Sequence, residues 1–252
     1  MLLKRNEKIE PLGGKTKVIV SDVHKFGTDT ILLADFSKPK KYEKSVELGS
    51  GCGAIAILWN RDSLTNHTIA IEIQKDACDM LERSIAINDL TDKITVLNSD
   101  LRDLKDKMIK FGEYDLVVCN PPYKPVGAGI ANNNNQKRLA RHEEECTIKD
   151  VTDCASKLLK FSGRLCLCLR PERLCDVIEN MRNSGIEPKR LRFVQQRLNK
   201  APKLFLIEGK RGAKKSGLVM MPSLIIENES GSLSDEMLKI YGSYKYGRIK
   251  KE

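Results

Sequence analysis

The chain's pattern predicts an α/β fold, doubly wound, with a mostly parallel seven-stranded sheet and an antiparallel terminal strand. Three observations carry that expectation. From Ser45 onward, short β-rich runs alternate with helical patterns, the signature of strand–crossover–strand units with helices on both faces. The first four strand ends carry, in order, a glycine-rich turn, an acid, a second acid and Asn120-Pro121-Pro122-Tyr123. The last two apolar runs, 191–195 and 204–208, follow each other without a helical stretch between them, so they are expected to pair antiparallel.

Taken in order, the segment 9–20 holds Pro11-Leu12-Gly13-Gly14 and then Lys17-Val18-Ile19-Val20, a short strand or hairpin lying outside the central sheet. The run 28–36 reads as a first helix with Thr28 or Asp29 at its start. Strands follow at 45–48, 69–73, 94–98, 114–119 and 163–169. Helices are expected at 53–60, 75–87, briefly near 102–108, then at 148–160 and 171–183. The whole is expected to form one domain over 1–252, with an N-terminal strand and helix extension over 1–40, a core over 41–210 and a basic segment over 211–252. The asparagine run at 132–135 is expected to be disordered, and the chain has no internal repeat.

The fourth strand end is the most informative place. A double proline neither continues a ladder nor opens a helix in register, so the strand must stop there. Asn120 and an aromatic ring are thereby set at a carboxyl edge, where parallel sheets bind ligands. Taken alone, Asn-Pro-Pro reads equally well as a plain turn. The other strand ends shift that balance. In Val46-Glu47-Leu48-Gly49-Ser50-Gly51-Cys52-Gly53, closely spaced glycines allow a sharp turn from strand to helix and a close approach of backbone to ligand. The next strand, Ile69-Ala70-Ile71-Glu72-Ile73, places an acid where the two hydroxyls of a ribose would be bound, and Asn98-Ser99-Asp100 ends the third with another.

Composition bounds the partners. With 44 Lys and Arg against 34 Asp and Glu, the net charge of +10 favours a polyanion. The eight cysteines include no Cys-x-x-Cys pair and no histidine spacing suited to zinc, so no metal is expected. Cys166 and Cys168 alternate with leucine and read as buried small hydrophobes, as does Cys119. A reducing, cytoplasmic location is expected, with no signal peptide and no membrane-spanning run.

The order of strand-end motifs resembles the class I S-adenosylmethionine-dependent methyltransferases, whose fold is Rossmann-like, and Asn-Pro-Pro-Tyr resembles the motif of those that methylate an exocyclic or amide nitrogen. Within that group, the stretch from Ser21 to Phe36, with Thr28-Asp29-Thr30-Ile31-Leu32-Leu33 at its centre, is similar to the bacterial tRNA (adenine-N6) methyltransferases that act on a valine tRNA. Ala140-Arg141-His142-Glu143, the basic run after Gly209 and the ending Leu238-Lys239-Ile240-Tyr241-Gly242 are similar to that family too.

The resemblance implies S-adenosylmethionine as cofactor and an adenine in a tRNA anticodon loop as substrate. It implies that Gly49, Gly51 and Gly53 pass beneath the cofactor, with Glu47 facing its amino acid portion and Thr28 touching it. Glu72 would bind the ribose, and Asp100 with the backbone of Leu101 would read the cofactor's adenine. An adenine N6 is a poor nucleophile because its lone pair is delocalised into the ring. Two acceptors on its hydrogens, the Asn120 side-chain carbonyl and the Pro121 backbone carbonyl stiffened by Pro122, would localise that pair. Tyr123 would stack on the base. Phosphate contacts are assigned to Arg138, Arg141 and His142, and to Lys210, Arg211, Lys214 and Lys215.

Other readings remain open from sequence. A protein-glutamine N-methyltransferase of release factors shares Asn-Pro-Pro-Tyr but is expected to carry a separate N-terminal helical domain, for which the segment ahead of the sheet leaves no room. DNA adenine methylation is a second rival. A nicotinamide dehydrogenase would account for the glycine turn and Glu72 but leaves Asn120-Pro121-Pro122-Tyr123 unexplained. A noncatalytic RNA-binding module is the reading from another class, against which stand intact motifs at every strand end.

Overall fold

The computed structural model describes residues 3–61, 65–105, 108–121 and 146–242. A hairpin of β1 (Glu7–Gly13) and β2 (Thr16–Ser21) precedes α1 (Thr28–Ser37) and stands apart from the main sheet, as expected. Then follow β3 (Glu43–Leu48), α2 (Ala54–Arg61), β4 (Thr65–Glu72), α3 (Lys75–Ala86), β5 (Ile94–Asn98), β6 (Tyr114–Cys119), α4 (Ile148–Leu158) and β7 (Leu159–Leu169). The chain continues through α5 (Leu174–Asn183), β8 (Ile186–Gln195), β9 (Leu204–Arg211), the short β10 (Val219–Met220) and β11 (Leu224–Ile225), and α6 (Asp235–Tyr241).

The seven long strands run in the order β5-β4-β3-β6-β7-β9-β8, and β9 alone is antiparallel to its neighbours. The antiparallel strand is thus the last of the seven in sequence but lies inside the sheet, between β7 and β8. β10 and β11 pair in parallel along the other side of β8. Strand order reverses between β3 and β6, and such a switch point opens a crevice at the carboxyl ends of the strands. Register sharpens its location. Leu48 pairs with both Ile71 and Cys119, and Ile71 with Leu97, so Gly49, Glu72, Asn98 and Asn120 emerge side by side.

Alternation along the central strands sorts the core into two layers, because successive strand side chains point to opposite faces. Leu116, Val118, Cys166 and Cys168 face α1, α2, α3 and the hairpin. Val117, Cys119, Leu165 and Leu167 face α4 and α5. The cysteines expected in the core are there, and burial pushes the Cys119 thiol well above the ordinary thiol range. On the first face Trp59, 1% exposed, donates its indole N–H to the Ala34 carbonyl at 3.1 Å and locks α2 to α1. The hairpin is held by Ile19 N–H to Ser84 Oγ at 2.9 Å, and by Arg83, which grips Glu7 at 2.6 Å and Asp79 at 2.6 Å. On the second face α4 starts with a capping box, Thr147 N–H to Asp150 Oδ2 at 2.8 Å and Asp150 N–H to Thr147 Oγ1 at 3.2 Å.

One expected element is replaced. Instead of a short helix near 102–108, the described residues 101–105 form turns. The cause is local: the Asp100 carboxylate accepts the Arg102 backbone N–H at 2.8 Å, an Asx turn that competes with helix formation. Among the described residues no helix is long and apolar enough to cross a membrane.

Candidate active site

A cavity of about 340 Å³ opens at the switch point. Gly49, Gly51, Glu72, Asp100, Leu101, Asn120 and Pro121 line it, drawn from all four predicted strand ends. Each is set there for a local reason. Gly49 and Gly51 have φ of +64° and +53°, a region L side chains avoid, and a Cβ on either would meet no atom within 4 Å. The loop therefore presents bare backbone to open space. Gly53 plays another part, since a Cβ there would strike the Leu81 side chain at 2.1 Å; its lack of one lets α3 pack against the turn.

Glu72 ties the two neighbouring loops together. One carboxylate oxygen accepts Gly51 N–H at 2.8 Å and the other Gln74 N–H at 2.8 Å. It is 5% exposed yet lines the cavity, and each oxygen keeps a second lone pair for a hydroxyl donor. Asp100 is engaged by Arg102, whose guanidinium meets it at 2.5 Å. Ile71, Ile73, Leu101 and Val151 supply apolar wall, the mixture of flat apolar surface and few polar groups that suits a nucleoside.

Asn120 follows the end of β6 as predicted, partly buried and lining the cavity. Its amide nitrogen donates to Asp29 Oδ2 at 2.9 Å and approaches Thr30 Oγ1 at 3.4 Å. Asp29 was not among the expected site residues.

Two assigned residues sit elsewhere. Glu47 does not line the cavity: it is 3% exposed and accepts Ala56 N–H at 2.9 Å inside the first turn of α2. Burial raises its pKa to about 8; the Ala56 N–H opposes this and the nearby Glu72 charge adds to it. It supports the glycine turn from behind. Thr28 also lies off the cavity, its hydroxyl 3.0 Å from that of Tyr241, so it anchors the start of α1 to α6.

The basic candidates divide. Lys210 pairs in register with Arg164 and Gly212 N–H bonds Gly185 O, so β9 delivers Lys210, Arg211, Lys214 and Lys215 to the amino edge of the sheet, opposite Asn120. Lys214 and Lys215, offered as RNA contacts, thus lie away from the cavity. Pro122, Tyr123, Arg138, Arg141 and His142, and the asparagine run, lie outside the described residues. Sequence reading missed Val23, His24 and Lys25, which close one side of the cavity from the β2–α1 link, and Cys146 and Val151 on the other. His24 is held in an ordered turn, its N–H donating to Ser21 Oγ at 3.0 Å and its carbonyl accepting Ser21 N–H at 2.9 Å. Among the described residues no group of three or more His, Cys, Asp or Glu is gathered to hold a metal.

Comparison with known proteins agrees with this geometry. The family model described as methyltransferase small domain matches residues 20–167. A curated relative from Parabacteroides distasonis, named tRNA1(Val) (adenine(37)-N6)-methyltransferase, is 31% identical over 185 residues, covering 73% of this chain and 76% of its own. One of the same name from Tolumonas auensis is 28% identical over 184 residues, covering 73% and 75%. The crystal structure of a predicted O-methyltransferase from Agrobacterium tumefaciens shares the fold with a TM-score of 0.67 at 19% identity, covering 86% of this chain and 97% of its own.

Proposed function

Because this chain belongs to the methyltransferase small domain family, we propose that it is an S-adenosylmethionine-dependent methyltransferase acting on N6 of an adenine in tRNA. By likeness to its relatives, that adenine is position 37 of a valine tRNA. The observation that carries the reading is the convergence of Asn120 and Pro121 with the bare glycine turn and Glu72 on one cavity.

The residues present fit the cofactor. Gly49 and Gly51 leave room at the backbone, Glu72 offers lone pairs to ribose hydroxyls, and Asp100 and Leu101 flank the apolar wall that would hold the purine. The cofactor, when bound, supplies a methyl group already activated on a sulfonium. What the chain contributes is alignment and electrostatics. The Asn120 carbonyl and the Pro121 carbonyl accept the two N6 hydrogens and draw the nitrogen lone pair out of conjugation. No strong base is required, because the proton leaves after methyl transfer. The target base must be out of its stack for in-line attack, which favours a loop nucleotide over a paired one.

The test is incubation with methyl-labelled cofactor and, separately, total tRNA, duplex DNA and a release-factor peptide. Label is expected in tRNA as N6-methyladenosine. Label in DNA or peptide but not in tRNA overturns the substrate while leaving the cofactor standing.

A further inference from the structure

The segment Gly27-Thr28-Asp29 resembled the tRNA enzymes in sequence, yet the cavity uses none of its side chains directly. We infer that Asp29 is a positioning residue that sets which way the Asn120 amide points. The inference rests on the reading of Asn120 given above and deepens it.

The argument is one of donor and acceptor. A primary amide has a carbonyl and an NH2 of nearly equal size on opposite sides of one carbon, and only the carbonyl can accept hydrogens from an adenine N6. Packing alone discriminates poorly between the two orientations. Asp29 discriminates, because a carboxylate only accepts: Asn120 must present its NH2 to Asp29 Oδ2, at 2.9 Å, and its carbonyl is then turned away from α1. Thr30 Oγ1, at 3.4 Å from the same nitrogen, lies on the same side. The contact joins residues 91 apart in sequence, the first turn of α1 and the end of β6.

The neighbours of Asp29 are arranged around this task. A Cβ at residue 27 would sit 2.5 Å from Asp29 Oδ1, so glycine at that position gives the carboxylate room to fold back over the helix start. The Thr28 hydroxyl, 3.0 Å from the Tyr241 hydroxyl, fixes the same turn to α6. The three residues thus form one device: space, orientation, anchorage.

The experiment measures kcat and KM for tRNA and calorimetric cofactor affinity in Asp29→Ala, Asp29→Asn and Gly27→Ala, and repeats Asp29→Ala in an Asn120→Ala background. Asp29→Ala is expected to lower kcat about 10- to 100-fold, with KM and cofactor affinity within about twofold. Asp29→Asn, which keeps an acceptor in place, is expected to restore part of that loss. Gly27→Ala is expected to lower kcat with the carboxylate still present. In the Asn120→Ala background the Asp29 change is expected to cost less than about twofold, since the group it orients is gone. Equal losses in both backgrounds, or a loss confined to cofactor affinity, would overturn the inference. If Asp29→Ala fails to fold, the isosteric Asp29→Asn in the two backgrounds decides in the same way. Normal turnover in Asn120→Ala itself would instead sink the mechanism on which the inference rests.

Discussion

The two edges of the central sheet use charge in opposite ways. At the carboxyl edge, Glu72 lines a cavity beside bare glycine backbone with no cation paired to it among the described residues, Asp100 lines it while held by Arg102, and Asn120 bonds an acid from another element. Toward the amino edge, charges close on one another. Arg164, with a side chain 10% exposed, bridges Glu43 at 2.7 Å and Glu208 at 3.2 Å, and Arg190 meets Glu208 at 2.8 Å. Lys160 pairs with Asp115, Lys44 meets Glu113 at 3.2 Å, and Lys189 donates to the Lys214 and Ser216 carbonyls. A cluster satisfied internally organises structure, whereas polar groups lining a cavity are arranged for a ligand. The basic stretch that stands out most in the sequence belongs to the edge away from the cavity.

The largest expected effect is at the carboxyl edge. Asn120→Ala should lower turnover by about 100-fold or more, in the range seen for loss of one preorganised polar group, while calorimetry shows cofactor affinity little changed. An even loss of both would make Asn120 a binding residue and blunt the comparison. Next in size, Gly51→Val should weaken cofactor binding by at least about 10-fold with the fold retained, since the residue is strained at φ +53° and its side chain fills open cavity space. Normal cofactor affinity in that variant would remove the glycine turn from the site.

A third prediction contrasts two pairs of lysines. The β8–β9 connection stands at the carboxyl edge, because Phe193 and Leu169 both pair with Phe205, and it carries exposed Lys200 and Lys203. Reversing both charges should raise KM for tRNA about 3- to 10-fold and flatten the salt dependence of tRNA affinity by roughly one to two in log–log slope. Reversing Lys214 and Lys215 should change either by less than about twofold. The opposite ranking would place the RNA on the amino edge.

The last effect is on stability and leaves the working edge untouched. Glu47 titrates near 8 in the folded chain against 4.5 when exposed, so between those values the folded state holds a proton that the unfolded state lacks. Stability from this group is complete below about 4.5 and is lost as pH rises through 8. Glu47→Gln has no proton to lose. Its melting temperature relative to wild type should therefore rise between pH 5 and pH 8.5, by about 2–4 °C for each kcal/mol. A constant difference across that range would mean Glu47 is ionised behind the turn.

Much of this was legible in the sequence, for reasons specific to each element. The double proline after Asn120 stops a strand whatever surrounds it, and glycines at 49 and 51 mark a left-handed backbone that other residues adopt only with strain. Glu47 lies off the cavity, and strand alternation accounts for it: Val46 and Leu48 pack toward α4 and α5, so the residue between them must face α2 instead. Lys214 and Lys215 fall at the amino edge because an antiparallel β9 delivers whatever follows it there, a consequence of strand direction that the charge run itself does not reveal. Asp29 had no such signal. Its contact with Asn120 depends on how α1 docks across the sheet, which no local pattern encodes. The replacement of the helix near 102–108 by turns was encoded locally, in the Asp100-Leu101-Arg102 spacing that an Asx turn requires.

The claim that the carboxyl edge is the working edge is tested most directly by hydrogen exchange of the full chain with and without S-adenosylhomocysteine, and then with tRNA added. Slowed exchange is predicted at 49–53, 72–74 and 99–102 with the cofactor product, extending to 195–204 with tRNA, and unchanged exchange at 210–217 in both. Protection at 210–217 with none at 49–53 or 72–74 would contradict the account.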